Sequence, residues 1–179
     1  MIVGSIKEDI KLEKRVSLTP ETAKNIIGLG LRVCIEKNYA VHLGIEDNQY
    51  SEIGVEIKDS FEEVINSSDA IIRVNCPTEN EINNLKENTI LIGMLNPSKN
   101  KDLINKIINK KIKIFSLELL PRITRAQSMD VLSSQSNLAG YRAVVDCVAE
   151  FEKAVPMMMT AAGTVPAAKV LVIGAGVAG

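Results

Sequence analysis

From Ile2 to Ser116 the chain switches repeatedly between short β-branched runs and stretches with helical spacing, and that switching leaves few folds open. Strand-like runs are expected at 2–6, 31–36, 55–57, 69–74, 89–94 and 112–116. In LRVCIE, for example, Leu31, Val33 and Ile35 recur at the two-residue period of a strand. Helix signals fill the gaps between these runs. LTPETAKNIIGLG offers Thr19 as an N-cap, Pro20 at the first helical position and glycines at 28 and 30 near the end. Ser60 with Glu63 three residues on reads as a capping box. Residues 78–86 and 100–110 are expected to be helical, the second with Leu103, Ile104, Ile107 and Ile108 on one face. Alternation of this kind predicts an α/β fold with a parallel sheet between helices.

After residue 116 the pattern changes. LELLPRITRAQSMDVLSSQS is polar and too long for a routine connection, and it is expected to be an irregular loop. NLAGYRAVVDCVAEFEKA then reads as an amphipathic helix, with Leu138, Tyr141, Val145 and Val148 on one face and Arg142, Asp146, Glu150 and Lys153 on the other. Pro156 closes it, and VPMMMTAAGTVP leads to the terminal run KVLVIGAGVAG. The expected organisation is therefore an α/β domain over 1–134, a connecting helix and linker over 135–166, and from 167 to 179 the first strand of a second Rossmann-like domain.

Composition excludes several classes of function. A formal net charge of −1 supplies no basic surface for nucleic acid, and 3% aromatic residues leave few stacking platforms for single strands. Cys34, Cys76 and Cys147 lie far apart without a C-x-x-C, so they are expected to be buried thiols in a reducing compartment, not metal ligands. No metal site is expected. His42, the single histidine, has no partners that would mark a catalytic triad. The N-terminus reaches Lys7, Glu8 and Asp9 too soon for a signal peptide, and no apolar stretch is long enough to span a membrane.

Two stretches carry chemistry. In the terminal run, Gly174, Gly176 and Gly179 follow a strand at G-x-G-x-x-G spacing. Such a turn needs its first glycine for the tight bend, its second for close approach to a pyrophosphate, and its third for packing of the next helix. The helix and the acidic residue expected about 20 positions further on do not follow in this sequence. The other stretch, PRITRAQSMDVLSSQS, gathers Arg122, Arg125, Gln127, Asp130, Ser133 and Ser134. These are donor and acceptor types able to hold a carboxamide and ribose hydroxyls. A solvated loop with a surface ion pair worth little is the competing reading.

Taken together, RVSLTPE, PRITRAQSMDVLSSQSNLAGYRAV and MMMTAAGTVPAAKVLVIGAGVAG resemble one family over the whole chain. It is the NAD-binding α subunit of proton-translocating NAD(P) transhydrogenase, a relative of alanine dehydrogenase. The resemblance implies NAD(H) bound in this subunit, in the cleft between two domains, and NADP(H) on a β subunit that approaches the same cleft. It further implies a membrane component that couples hydride transfer to proton movement, a homodimeric α subunit, and a cytoplasmic position against the inner membrane. It assigns Arg122, Asp130 and Ser133 to the nicotinamide end of the cofactor and Gln127 to its ribose, with Gln127 and Asp130 the groups nearest the reaction. Gly174, Gly176, Val177 and Gly179 would hold the pyrophosphate side.

Alanine dehydrogenase shares Arg15 in KRVSLTP, but its lysine and histidine fall where this chain has Asn75 and Asn96. An amide neither donates a proton as an acid nor carries a fixed positive charge, so the sequence leans away from an amino-acid substrate. The remaining alternative is an inactive fragment that keeps the N-terminal fold. The expectation is of a chain folded in its first domain, frayed beyond about residue 155, and with no useful NAD affinity by itself.

Overall fold

All six expected strands form one parallel sheet. They are β1 (Ile2–Ser5), β2 (Arg32–Glu36), β3 (Glu56–Lys58), β4 (Ala70–Asn75), β5 (Ile90–Met94) and β6 (Lys113–Ser116), in the spatial order β3-β2-β1-β4-β5-β6. The computed structural model describes residues 1–179, in two compact units, Met1–Leu120 and Pro121–Gly179. The sheet belongs to the first.

The helices between the strands start where the capping residues require. Thr19 caps α1 (Pro20–Gly28), its hydroxyl accepting from Thr22 N at 3.3 Å. Thr78 caps α4 (Glu79–Asn84), and Glu81 completes the box by accepting from Thr78 N at 2.7 Å. Ser60 caps α3 (Phe61–Ser67), but the Glu63 carboxylate accepts from Asp59 N rather than from Ser60 N, so only half of the expected box forms. Two further helices are α2 (Asp47–Ser51) and α5 (Lys101–Asn109).

Alternation along β2 divides the core in two. Val33 and Ile35 point to one face, where they pack with Leu18, Ala23, Tyr39, Tyr50 and Val55. Cys34 points to the other, into a larger cluster with Val64, Ile65, Ile71, Ile82, Leu91 and Ile107. The helix α3 crosses so close to β1 that a Cβ built on Gly4 would lie 2.1 Å from Ser68 Oγ. Burying each of the large aliphatic side chains in these clusters contributes about 1.5–3 kcal/mol.

One hydroxyl ties the segment Val16–Leu18 to this sheet. Tyr39 OH lies 2.7 Å from Ser5 Oγ and 3.0 Å from Ser17 Oγ, and it accepts from Ser17 N at 3.1 Å and Leu18 N at 3.2 Å. Ser5 and Ser17 both donate to the Ile72 carbonyl, at 2.8 and 3.0 Å.

The second unit departs from expectation in several places. Residues 131–136, expected to be loop, are the first turns of α6 (Val131–Glu150), because Asp130 supplies an N-cap. The α6 face carrying Leu138, Tyr141, Val145 and Val148 is exposed. VPMMMTAAGTVP holds an antiparallel hairpin, β7 (Met158–Thr160) with β8 (Gly163–Val165), in place of the expected linker. The run Lys169–Ile173 joins neither sheet, and Ile173 is 92% exposed. A parallel strand needs a neighbour brought alongside by a crossover of a dozen or more residues, and no segment of this unit pairs with it. Cys147 is exposed, not buried, because it sits on α6, whereas Cys34 is fully buried as expected. No helix is long and apolar enough to cross a membrane.

Candidate functional site

The polar stretch from Arg122 to Asp130 folds as a 3-10 turn (Thr124–Met129) feeding straight into α6. Ala126 is its single buried anchor, and the flanking polar side chains are left at the surface. Asp130 then closes the first turn of α6 twice over: Ser133 N donates to its Oδ1 at 3.0 Å and Ser133 Oγ to its Oδ2 at 2.6 Å. These two bonds hold the Asp130 carboxyl below its ordinary pKa, with the Arg122 charge adding to the effect. A carboxylate so held stays ionised at neutral pH and keeps free lone pairs for a further donor.

Two open clefts flank this turn. The first, about 230 Å³, is lined by Arg122, Ile123, Thr124, Ala126, Gln127 and Asp130. The second, about 320 Å³, brings Arg122, Ser133 and Ser136 opposite Ile173, Gly174, Gly176, Val177, Ala178 and Gly179. Arg122 lines both. Each residue that the resemblance assigns to cofactor contact thus lies on one or the other cleft, whereas Arg125 and Ser134 line neither, and Lys169–Ile173 forms no strand to present the glycines. Gly174 has a φ of +102°, which a residue with a Cβ adopts only under strain. The turn it begins rests on α6 at Gly140, where an added Cβ would lie 2.1 Å from the Ala178 carbonyl oxygen. Ser136, Ala178 and Thr124 also line these clefts, and their residue types alone do not single them out. The spacing Asp130-x-x-Ser133 is the signal that would place Ser136 on a helix beside them.

In the first unit the carboxyl ends of the strands carry a separate charged cluster. Arg73, 4% exposed in β4, lies 3.0 Å from Glu8 and 2.7 Å from Glu81. Burial works against its charge, but Glu81 and Glu8 outweigh that and keep the guanidinium above its ordinary pKa. Glu8 also accepts from Val74 N at 2.8 Å and from Asn75 N at 3.3 Å. Beside it, Glu13 is gripped by Arg15 Nε at 2.8 Å and Nη2 at 2.6 Å, and the Asn75 amide donates to it at 3.3 Å. That grip holds the Glu13 carboxyl at about 2, the Arg15 side-chain bond being the largest cause. Asn96, just past β5, donates its backbone N–H to Glu118. Burial pushes the Cys76 thiol up to about 11, far from the range of a reactive thiolate. His42 Nε2 lies against the Lys14 carbonyl at 2.8 Å, a structural contact. No cluster of His, Cys, Asp and Glu is placed to hold a metal ion.

Known proteins share both the sequence and the fold. Residues 4–139 match the family described as alanine dehydrogenase/PNT, N-terminal domain, and residues 143–179 match the corresponding C-terminal domain. The chain is 42% identical, over its full length, to NAD(P) transhydrogenase subunit alpha of Haemophilus influenzae, of which it covers 35%. It superposes on the crystal structure of transhydrogenase from Sinorhizobium meliloti with a TM-score of 0.94 at 42% identity, covering all of this chain and 53% of that one. Alanine dehydrogenase of Methanococcus maripaludis is more distant, 29% identical over the full chain and 48% of its own length. The chain therefore spans between 35% and 53% of the length of these relatives.

Proposed function

The chain belongs to the alanine dehydrogenase/PNT family, and from that premise we propose that it is the NAD(H)-binding part of a proton-translocating NAD(P) transhydrogenase. NADP(H) sits on a partner β subunit, and a membrane component couples hydride transfer to proton movement. The α subunit works as a homodimer on the cytoplasmic side of the inner membrane. Higher identity to transhydrogenase than to alanine dehydrogenase relatives favours this branch, as does the amide chemistry of Asn75 and Asn96.

The observation that carries the reading is the shared place of Arg122 on both clefts, with Gln127 and Asp130 on one side and Ser133 with the glycine turn on the other. The donor set suits a dinucleotide. Arg122 offers fixed N–H donors to a carboxamide oxygen, and the ionised Asp130 accepts from a carboxamide NH₂. Ser133 Oγ is committed to Asp130 as donor but keeps acceptor capacity. Gly174 and Gly176 present backbone with no side chain in the way of a phosphate. When bound, the nicotinamide supplies the hydride chemistry. The residues of this chain bind, orient and exclude water, and none of them needs to act as an acid or base. Their contribution is proximity, for which well-placed reactants gain up to about 7–11 kcal/mol.

The test is an exchange assay on the subunit carrying this sequence. Mixed with its NADP-binding partner, it should pass hydride from NADH to an NADP analogue. It should not reduce NAD with L-alanine. Alanine oxidation at a measurable rate, with no exchange, overturns the reading.

A further inference from the structure

Ser133, Ser136 and Gly140, spaced three and then four apart, share one face of α6. Both ends of that face are engaged. Ser133 bonds to Asp130 through its backbone N–H and its hydroxyl. Gly140 rests on the glycine turn at the Ala178 carbonyl. Ser136 lies between them, about 4.5 Å along the axis from Ser133 and about 6 Å from Gly140 at the helical rise per residue. It opens on the cleft of about 320 Å³ that Arg122 and the glycine turn complete.

The Ser136 hydroxyl is unspent. A serine inside a helix commonly bonds back to a carbonyl one turn earlier, and Ser134 does so, donating to the Val131 carbonyl at 3.1 Å. Ser136 Oγ has no hydrogen-bond partner, although the residue is half-buried. Across the cleft, a Cβ added to Gly174 or Gly176 would meet nothing within 4 Å, so the space in front of the turn is open. The cleft thus has bare backbone on one wall, and a guanidinium with a free hydroxyl on the other. A carboxamide needs a strong acceptor as well as donors, and the acceptor, Asp130, lines the other cleft. A donor-rich wall without a carboxylate suits phosphate oxygens.

We propose that Ser136 Oγ donates to a pyrophosphate oxygen of the dinucleotide, from the α6 side and opposite the glycine turn. The inference rests on the NAD(H)-binding reading above, and it adds a side-chain donor that the glycine spacing does not supply. The pyrophosphate keeps its charge while the hydride moves, so the contact is as strong in the ground state as in the transition state. It tightens binding without quickening transfer.

Calorimetric titration of the subunit carrying this sequence tests the assignment, with NADH and ADP-ribose as probes. ADP-ribose carries the pyrophosphate and lacks the nicotinamide. Ser136→Ala should weaken both by about tenfold, the worth of one hydrogen bond to a charged group. With the NADP-binding partner added, KM for NADH should rise by a like factor while kcat holds. Circular dichroism establishes that the variant is folded. Should Ser136→Ala misfold, Ser136→Cys keeps the size without a strong donor and should show the same loss. Unchanged NADH affinity in a folded variant overturns the proposal. So does a loss confined to NADH, which would put the contact at the nicotinamide end, or a fall in kcat with affinity intact. A native subunit that binds NADH but not ADP-ribose overturns it as well. A native subunit that binds no NADH overturns the proposed function itself, and this inference with it.

Discussion

Arg73 Nη2 and Glu8 Oε2 face each other at 3.0 Å with both side chains less than a tenth exposed. Glu8 reaches β4 from the loop after β1, so this pair ties the first connection of the sheet to the strand on the far side of the topological reversal. Such a pair adds little net stability when intact, because desolvating both charges offsets their attraction.

Breaking it is another matter. Glu8→Ala removes one partner of a buried guanidinium and strips the backbone N–H groups of Val74 and Asn75 of their acceptor. Loss of one partner from a buried pair costs about 3 kcal/mol. Urea denaturation followed by circular dichroism should show that loss. A change of less than about 0.5 kcal/mol, the usual range for surface substitutions, would mean that Glu81 alone satisfies Arg73.

Gly140 tests the seating of the glycine turn. Its substitution by Ala favours the α6 helix by roughly 1 kcal/mol, yet the new Cβ meets the Ala178 carbonyl. Helicity should hold or rise while NADH affinity in the subunit carrying this sequence falls about tenfold, or about 1.4 kcal/mol. Unchanged affinity would show that the turn does not depend on α6.

Gln127 tests positioning. Gln127→Asn keeps the amide but draws it back by about an ångström, a misplacement that can cost ~100-fold in rate. Single-turnover hydride transfer should slow far more than NADH binding weakens. Equal losses in rate and affinity would mark the turn as a structural element only.

Glu13 carries a pH signature. Its folded pKa of about 2 lies below its ordinary 4.5, so its ion pair favours the folded state above pH 4.5. That contribution fades as the pH falls from 4.5 toward 2. Stability of the chain should therefore drop across that window, and Glu13→Gln should flatten the drop. A native curve already flat from pH 4.5 to 2 would show that Arg15 does not hold Glu13 in solution.

The first unit is largely legible in the sequence because its signals are local. Thr19, Ser60 and Thr78 cap the helices that their positions predict, and alternation in LRVCIE assigns Val33 and Cys34 to opposite faces. What stays hidden depends on distant partners. Nothing around Arg73 in the sequence announces Glu8, which is sixty-five positions earlier. Within PRITRAQSMDVLSSQS the residue types point to a site, but the bond pattern of Asp130 and Ser133 converts its second half from loop to helix. The hairpin Met158–Val165 has no Asn-Gly or Asp-Gly turn to signal it. The apolar run at 169–173 has the composition of a strand, but composition cannot supply a neighbour.

The hydroxyl of Tyr39 has a consequence for how this chain tolerates change over generations. The side chains of Ser5 and Ser17 both bond to that one oxygen, so substitutions at Tyr39, Ser5 and Ser17 do not have independent effects. Tyr39→Phe leaves the backbone N–H groups of Ser17 and Leu18 without their acceptor, after which losing the Ser17 side chain costs less than it would in the native background. Groups that share one partner give non-additive energies of about 0.5–3 kcal/mol. Drift at any one of these positions is thereby constrained by the residues present at the others, and a lineage that changes one of them is expected to change its companions together.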